Sequence, residues 1–154
     1  MADLSNLESL TINDNQIGSI SALGGLEKLF DLDVHNNQIQ SVSALSGLTN
    51  LELLVLRGNQ ITSISPLSDL ILLTSLELEE NEISSISALS SLKNLILVDL
   101  RDNNISSIAP LTSLTQLQGV DLRGNDLNEQ AYDQHLQTII DNNPGVSLRY
   151  DPRP

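Results

Sequence analysis

Residues 7–17 read LESLTINDNQI, and the chain returns to that form again and again. LFDLDVHNNQI starts at Leu29, LELLVLRGNQI at Leu51, LTSLELEENEI at Leu73, LILVDLRDNNI at Leu95 and LQGVDLRGNDL at Leu117, each 22 residues after the one before. Self-similarity at a fixed period of this size means one small structural unit per copy, stacked on its neighbours. Positions 1, 4 and 6 of each copy are apolar, as in Leu7, Leu10 and Ile12. The alternation over positions 4–6 is that of a strand, with position 5 on the opposite face. Further apolar residues follow at spacings of three (Ile61, Ile64, Leu67 and Leu70 in the third copy) and suit a tight, partly 3₁₀ return path. One coil of this kind cannot bury so much apolar surface alone; stacked coils close a continuous core.

Position 9 is Asn in every copy: Asn15, Asn37, Asn59, Asn81, Asn103 and Asn125. A buried amide without partners costs about 1–3 kcal/mol. A stacked column removes that cost if each side chain bonds backbone groups of its own and the adjoining turn. Pro66 and Pro110 stand on the return path, at the position filled by Ala22, Ala44 and Ala88 elsewhere, where no ladder donor is needed. A Ser column (Ser19, Ser41, Ser63, Ser85, Ser107) keeps the preceding turn small.

The totals narrow the function. In 154 residues, 40% are hydrophobic but only 2% aromatic, so the core is aliphatic. There is no Cys, which excludes disulfides, thiolate metal sites and Cys nucleophiles. A net charge of -13 repels phosphate backbones and anionic lipid, so nucleic acid is a poor candidate partner and a basic protein surface or a cation a better one. No apolar run approaches the ~18 residues of a membrane span. The opening MADLSNL lacks the basic start and apolar stretch of a signal peptide. No pattern calls for a cofactor.

The form LxxLxLxxNxIxSIxxLxxL resembles the leucine-rich repeat proteins of the 22-residue class, notably bacterial internalins and the leucine-rich regulatory subunits of protein phosphatases. The resemblance covers residues 4 to about 128. It implies an α/β fold: a curved, right-handed solenoid with a parallel β-sheet on the concave face, 3₁₀ or irregular turns on the convex face, and capped ends. It also implies binding of another protein through variable concave residues. An exported or cell-surface location follows if the chain belongs to an internalin-like protein, and a cytoplasmic one otherwise.

The expected organisation is a single unit over 1–154, with a partial repeat at 1–6, six repeats at 7–128 and a C-terminal cap at 129–151. Met1 and Leu4 stand where Leu67 and Leu70 stand in a full repeat, so the chain begins mid-repeat, without the helical N-terminal cap usual in internalins. That end is expected to leave apolar surface open and to favour self-association. At the other end, Glu129 to Ile140 reads as an amphipathic helix with Asn128 as N-cap and Tyr132, Leu136, Ile139 and Ile140 inward. Asp141 to Gly145 reads as a turn, and Val146, Leu148 and Tyr150 as a last strand.

The fixed letters build the coil; the changed letters, at positions 2, 3, 5, 7 and 8, are expected to face water on the concave side. They carry eleven acids (Glu8, Asp14, Asp31, Asp33, Glu52, Glu77, Glu79, Glu80, Asp99, Asp102, Asp121) against Arg57, Arg101 and Arg123. Equivalent residues of adjacent coils lie ~4.8 Å apart, so position 5 forms an acidic row beside an Arg-bearing row at position 7. Asp99–Arg101 and Asp121–Arg123 are expected to pair. One reading is a solvated, self-neutralised face. The other is an acidic docking surface with apolar anchors at Phe30, Leu53, Val55, Ile96 and Leu97, surrounded by Asp31, Asp33, His35, Arg57, Glu77, Glu79, Asp99, Arg101, Asp121 and Arg123. Phe30 and Ile96, at position 2, have the alternative of packing toward the loop side. A cation site at Glu77, Glu79, Glu80, Asp99 and Asp102 is opposed by Arg101, and no calcium-loop spacing supports it. His35 with Asp33, near Ser9 and Thr11, allows a remote hydrolase reading, but no nucleophile elbow, oxyanion loop or pocket accompanies it. His135 is expected to pack or to lie on the surface. The sequence therefore favours a protein-binding solenoid without catalysis, with a structural or engineered scaffold as the alternative.

Overall fold

The computed structural model of the chain describes residues 4–153. Each repeat supplies one three-residue strand: β1 Ser9–Thr11, β2 Asp31–Asp33, β3 Leu53–Val55, β4 Ser75–Glu77, β5 Leu97–Asp99 and β6 Gly119–Asp121. A seventh, β7 Ser147–Arg149, follows the final helix. All seven pair in parallel and in chain order within one open sheet. Leu10, Leu32, Leu54, Leu76, Val98 and Val120 align as direct partners, so the 22-residue period becomes spatial adjacency. The strands are short because only positions 3–5 stay extended before the Asn column turns the chain.

Behind the sheet, positions 1, 4 and 6 of the second to sixth coils form a single aliphatic core with the residues of the return path. Each return path is a short 3₁₀ segment, Ser21–Leu23, Ser43–Leu45, Ser65–Leu67, Ser87–Ser91 and Ala109–Ser113. The Ser column does more than stay small. The hydroxyls of Ser19, Ser41 and Ser63 each accept the backbone N–H two residues on, 3.4 Å away, at the start of the 3₁₀ segment. Pro66 and Pro110 lie in the first turn of their segments, where the missing donor is not needed.

The Asn column forms the expected line. In Asn81, Oδ1 accepts the Ile61 N–H of the preceding coil at 3.0 Å, while Nδ2 donates to Leu56, Leu78 and Glu79 carbonyls. Asn37, Asn59, Asn103 and Asn125 repeat that pattern. Asn15 differs: it is exposed and bonds only Ile12 and Asn13 carbonyls of its own coil.

At the C-terminal end Asn128 Oδ1 accepts the Ala131 N–H at 2.9 Å, the anticipated N-cap. The helix starts at Glu129, passes through a π turn, Ala131–His135, and continues as α1, Leu136–Asn142. This corrects the expected apolar face. The wider π turn rotates the later residues, so Ala131, His135, Leu136 and Ile139 are buried, Tyr132 is half-buried and Ile140 is exposed. The helix also runs past Ile140 into the stretch expected to turn. Asn143 ends it: its Nδ2 donates to Ile139 and Leu114 carbonyls and its Oδ1 accepts the Leu117 N–H at 2.8 Å. That side chain, buried and absent from the repeat pattern, ties the helix to the last coil.

At the other end, Leu7, Leu10, Ile12 and Ile17 are only partly covered and Leu4 is exposed. The expectation concerning Met1 lies outside the described residues. Among the described residues no helix is long and apolar enough to cross a membrane.

Candidate functional site

The open face of the sheet carries positions 3, 5 and 7 in three columns. The position-3 column reads Ser9, Asp31, Leu53, Ser75, Leu97 and Gly119 along the paired strands. Leu53 and Leu97 stand out of it, 40% and 51% exposed. Neither is needed by the core, and each has a smaller or polar neighbour on both sides. Val55 and Ile96 are half-covered.

Position 5 gives Thr11, Asp33, Val55, Glu77, Asp99 and Asp121, and position 7 gives Asn13, His35, Arg57, Glu79, Arg101 and Arg123. The anticipated ion pairs form. Arg101 Nε lies 3.0 Å from both carboxylate oxygens of Asp99, and Arg123 Nη2 lies 2.6 Å from Asp121. The hydrogen bond and charge of Asp99 raise the Arg101 pKa further. Burial pushes the Asp121 carboxyl up, but the hydrogen bonds and charge of Arg123 outweigh it, and the group sits below its ordinary value.

Two position-7 residues depart from the expectation that variable letters face water. His35 is 8% exposed and Glu79 5%. Arg57, between them in the column, stays half-buried. His35 Nδ1 meets Asp33 Oδ1 at 2.6 Å, and Nε2 faces Asn13 at 3.3 Å and Asp14 at 3.6 Å. The Ser9 hydroxyl, the nucleophile considered for a hydrolase, donates to Asp31 at 3.2 Å and makes no bond to His35. Among the described residues the one ion-pair partner of Glu79 is Arg101, whose Nη2 lies 3.6 Å from Oε1; Oε2 is buried without a hydrogen bond. Burial raises the Glu79 pKa; its own backbone N–H and the charge of Arg101 oppose the rise, and the charges of Asp99 and Glu77 add to it.

Position 8 is a further correction. Asp14, Asn36, Glu80 and Asp102 have φ between 51° and 56°, and Gly58 and Gly124 have φ of 62° and 70°. The column is the left-handed corner where each strand ends, not part of the strand face. Glu80 and Asp102 therefore sit at a turn, and among the described residues no group of three or more His, Asp or Glu is placed to hold a metal ion.

Phe30 settles on the loop side, as position 2 allowed. It lines a rim groove of about 370 Å³ with Glu8, Lys28, Asn50, Glu52 and Leu72. Ile71 and Leu72, 54% and 41% exposed, were not singled out in the sequence. The signal was available: the same two positions hold Glu27–Lys28, Thr49–Asn50 and Lys93–Asn94 in other copies. A larger trough of about 510 Å³ lies over β4 to β7, walled by Glu77, Glu79, Asp99, Arg101 and Asp121 around Leu97.

A one-strand-per-coil parallel sheet, an Asn column and 3₁₀ returns define a leucine-rich repeat solenoid. The two-copy leucine-rich repeat profile matches residues 5–48 and 49–91, and the chain belongs to that family. It is similar to internalin C2 of Listeria monocytogenes, at 43% identity over 79% of this chain and 54% of that one, with a TM-score of 0.77. Internalin F of the same organism matches at 30% identity over 96% of this chain and 48% of that one, TM-score 0.69. A leucine-rich repeat protein of Leptospira interrogans matches at 25% identity over 94% and 37%, TM-score 0.81. The chain spans about half the length of these internalins. No curated protein sequence matches it. Leucine-rich repeat proteins are in general protein-interaction modules.

Proposed function

We propose that the chain is a protein-binding module whose partner docks on the concave strands, without catalysis. The observation that carries this reading is the pair Leu53 and Leu97, exposed on β3 and β5 where the solenoid needs no apolar side chain. Apolar side chains that stand out of a polar face offer a partner area to bury. Around them Asp31, Asp33, His35, Val55, Arg57, Glu77, Glu79, Asp99, Arg101, Asp121 and Arg123 supply a mainly acidic surround, and Phe30 extends the surface to the rim. A net charge of -13 favours a basic partner and speeds its approach. The whole, including the six repeats and the 129–151 cap, acts as one rigid unit in this reading.

The test is quantitative capture of proteins by the immobilised chain and by its Leu53→Glu and Arg101→Glu variants. The docking reading expects capture to fall with salt and to be lost in both variants. Identical partners with both variants refute it, and absence of any specific capture favours a scaffold. Self-association through the partly covered first coil is a second element of the proposal. It predicts a mass that rises with concentration in analytical ultracentrifugation, and a constant monomer mass refutes it. Turnover by His35 is not part of the reading; activity on a hydrolase substrate panel that His35→Ala abolishes would reinstate it.

A further inference from the structure

The charges around the trough over β4 to β7 are unevenly matched. Both Asp99 oxygens accept Arg101, and Asp121 is held by Arg123 with Arg101 and Arg149 within 4 Å. Glu77 and Glu79, side by side on one face, are left with a single ion-pair contact among the described residues, 3.6 Å from Arg101 to Glu79. Glu79 is nine-tenths buried, lines the trough, and has an oxygen with no donor. Arg57, the next residue along that column, forms no ion pair among the described residues. A buried carboxylate short of donors is unfavourable until a cation joins it. In the same trough Leu97 stands between two small residues, Ser75 and Gly119. A Cβ on Gly119 would lie 3.0 Å from Leu97 Cδ2, so glycine leaves room for the Leu97 side chain to lie over β6.

Resting on the docking reading above, we propose that this trough is a subsite for a lysine side chain carried on an extended segment of the partner. Its ammonium seats against Glu77 and Glu79, and its alkyl stem lies along Leu97. Lysine suits the site better than arginine because its head is a compact, three-donor charge on a slim stem, whereas a guanidinium fork seeks both carboxylate oxygens in one plane. Glu79 Oε1 already faces Arg101. The Arg101–Glu79 contact, at 3.6 Å, is longer than a hydrogen bond, and Arg101 keeps its two bonds to Asp99 while the incoming ammonium takes the donorless Oε2.

A positional-scanning pool of acetylated heptapeptide amides, selected on the immobilised chain at low salt, tests this. Lysine should be enriched at least fivefold over norleucine and acetyl-lysine at one position, with arginine behind. Glu79→Gln, checked for an unchanged circular dichroism spectrum, should cut that preference at least fivefold and keep the apolar selection around it. Glu77→Gln, at a more exposed carboxylate, should cut it less. No lysine preference in the wild type, or the same preference in Glu79→Gln, overturns the subsite. If Leu97→Glu loses all selection while Glu79→Gln keeps its lysine preference, the docking face stands and only the subsite falls. If both variants select as the wild type does, both fall.

Discussion

Replacing Asn81 by Ala removes four hydrogen bonds, but they are not equal. Three of them run from Nδ2 to carbonyls that keep another donor. Leu56 O still accepts Asn59 Nδ2 at 2.9 Å, Leu78 O still accepts Asn103 Nδ2 at 2.9 Å, and Glu79 O still accepts the Gly58 N–H at 3.0 Å. The fourth is different. The Ile61 N–H, in a residue with no exposed surface, has only Asn81 Oδ1. Orphaning a buried donor costs about 1–3 kcal/mol, and each lost secondary bond adds some tenths. Asn81→Ala should therefore destabilise the fold by about 2–4 kcal/mol. Asn15→Ala is the control: Asn15 is exposed and serves no N–H of a preceding coil, so its loss should cost no more than about 0.5 kcal/mol. Urea unfolding followed by circular dichroism measures both. Equal losses at the two positions, or a loss at Asn81 below about 1 kcal/mol, would refute the claim that the column stabilises by reaching back to the coil before it.

Further outcomes follow from other parts of the molecule. Leu76→Ala, at a fully buried strand position, should cost about 2–5 kcal/mol in the same assay, while Leu97→Ala on the open face should cost little. Glu80 holds φ 56° in a column where Gly58 and Gly124 occur, so Glu80→Gly should stabilise by about 0.5 kcal/mol, seen as a higher thermal midpoint; an unchanged or lower midpoint would mean the corner is unstrained. The raised Glu79 pKa means the folded chain holds this proton more tightly than the unfolded one. Its penalty is fully present at neutral pH and disappears as pH falls below the ordinary glutamate value. Glu79→Gln should thus be more stable than the wild type at pH 7, and the difference should shrink in acid; a constant difference would count against it. Asp121, held below its ordinary value, contributes in the opposite sense. The stability it adds at neutral pH is lost as pH falls through its folded pKa, and Asp121→Asn should lose that acid dependence.

The repeat was legible because identical letters at a fixed period leave stacking as the one way to bury every Leu at once. Strand positions, the Asn line, the Asp99–Arg101 and Asp121–Arg123 pairs and the Asn128 cap all follow from periodicity and local bonding, which act over a few residues or over one coil. What the letters did not reveal depends on how columns crowd. Position 8 reads as another polar concave site until the backbone puts it in a left-handed corner. Glu79 and His35 read as solvated charges until neighbours one coil away cover them. Asn143 carries no repeat signature, and its role appears only when α1 lies across the last coil and brings Leu114 and Leu117 to it. The face of that helix turned on one π turn, a shift that amphipathic spacing does not encode. By itself, then, the sequence determined which residues stack and how often. The tertiary structure alone decided which of the variable side chains remain exposed, because exposure is set by neighbours 22 residues away as well as by the residue's own type.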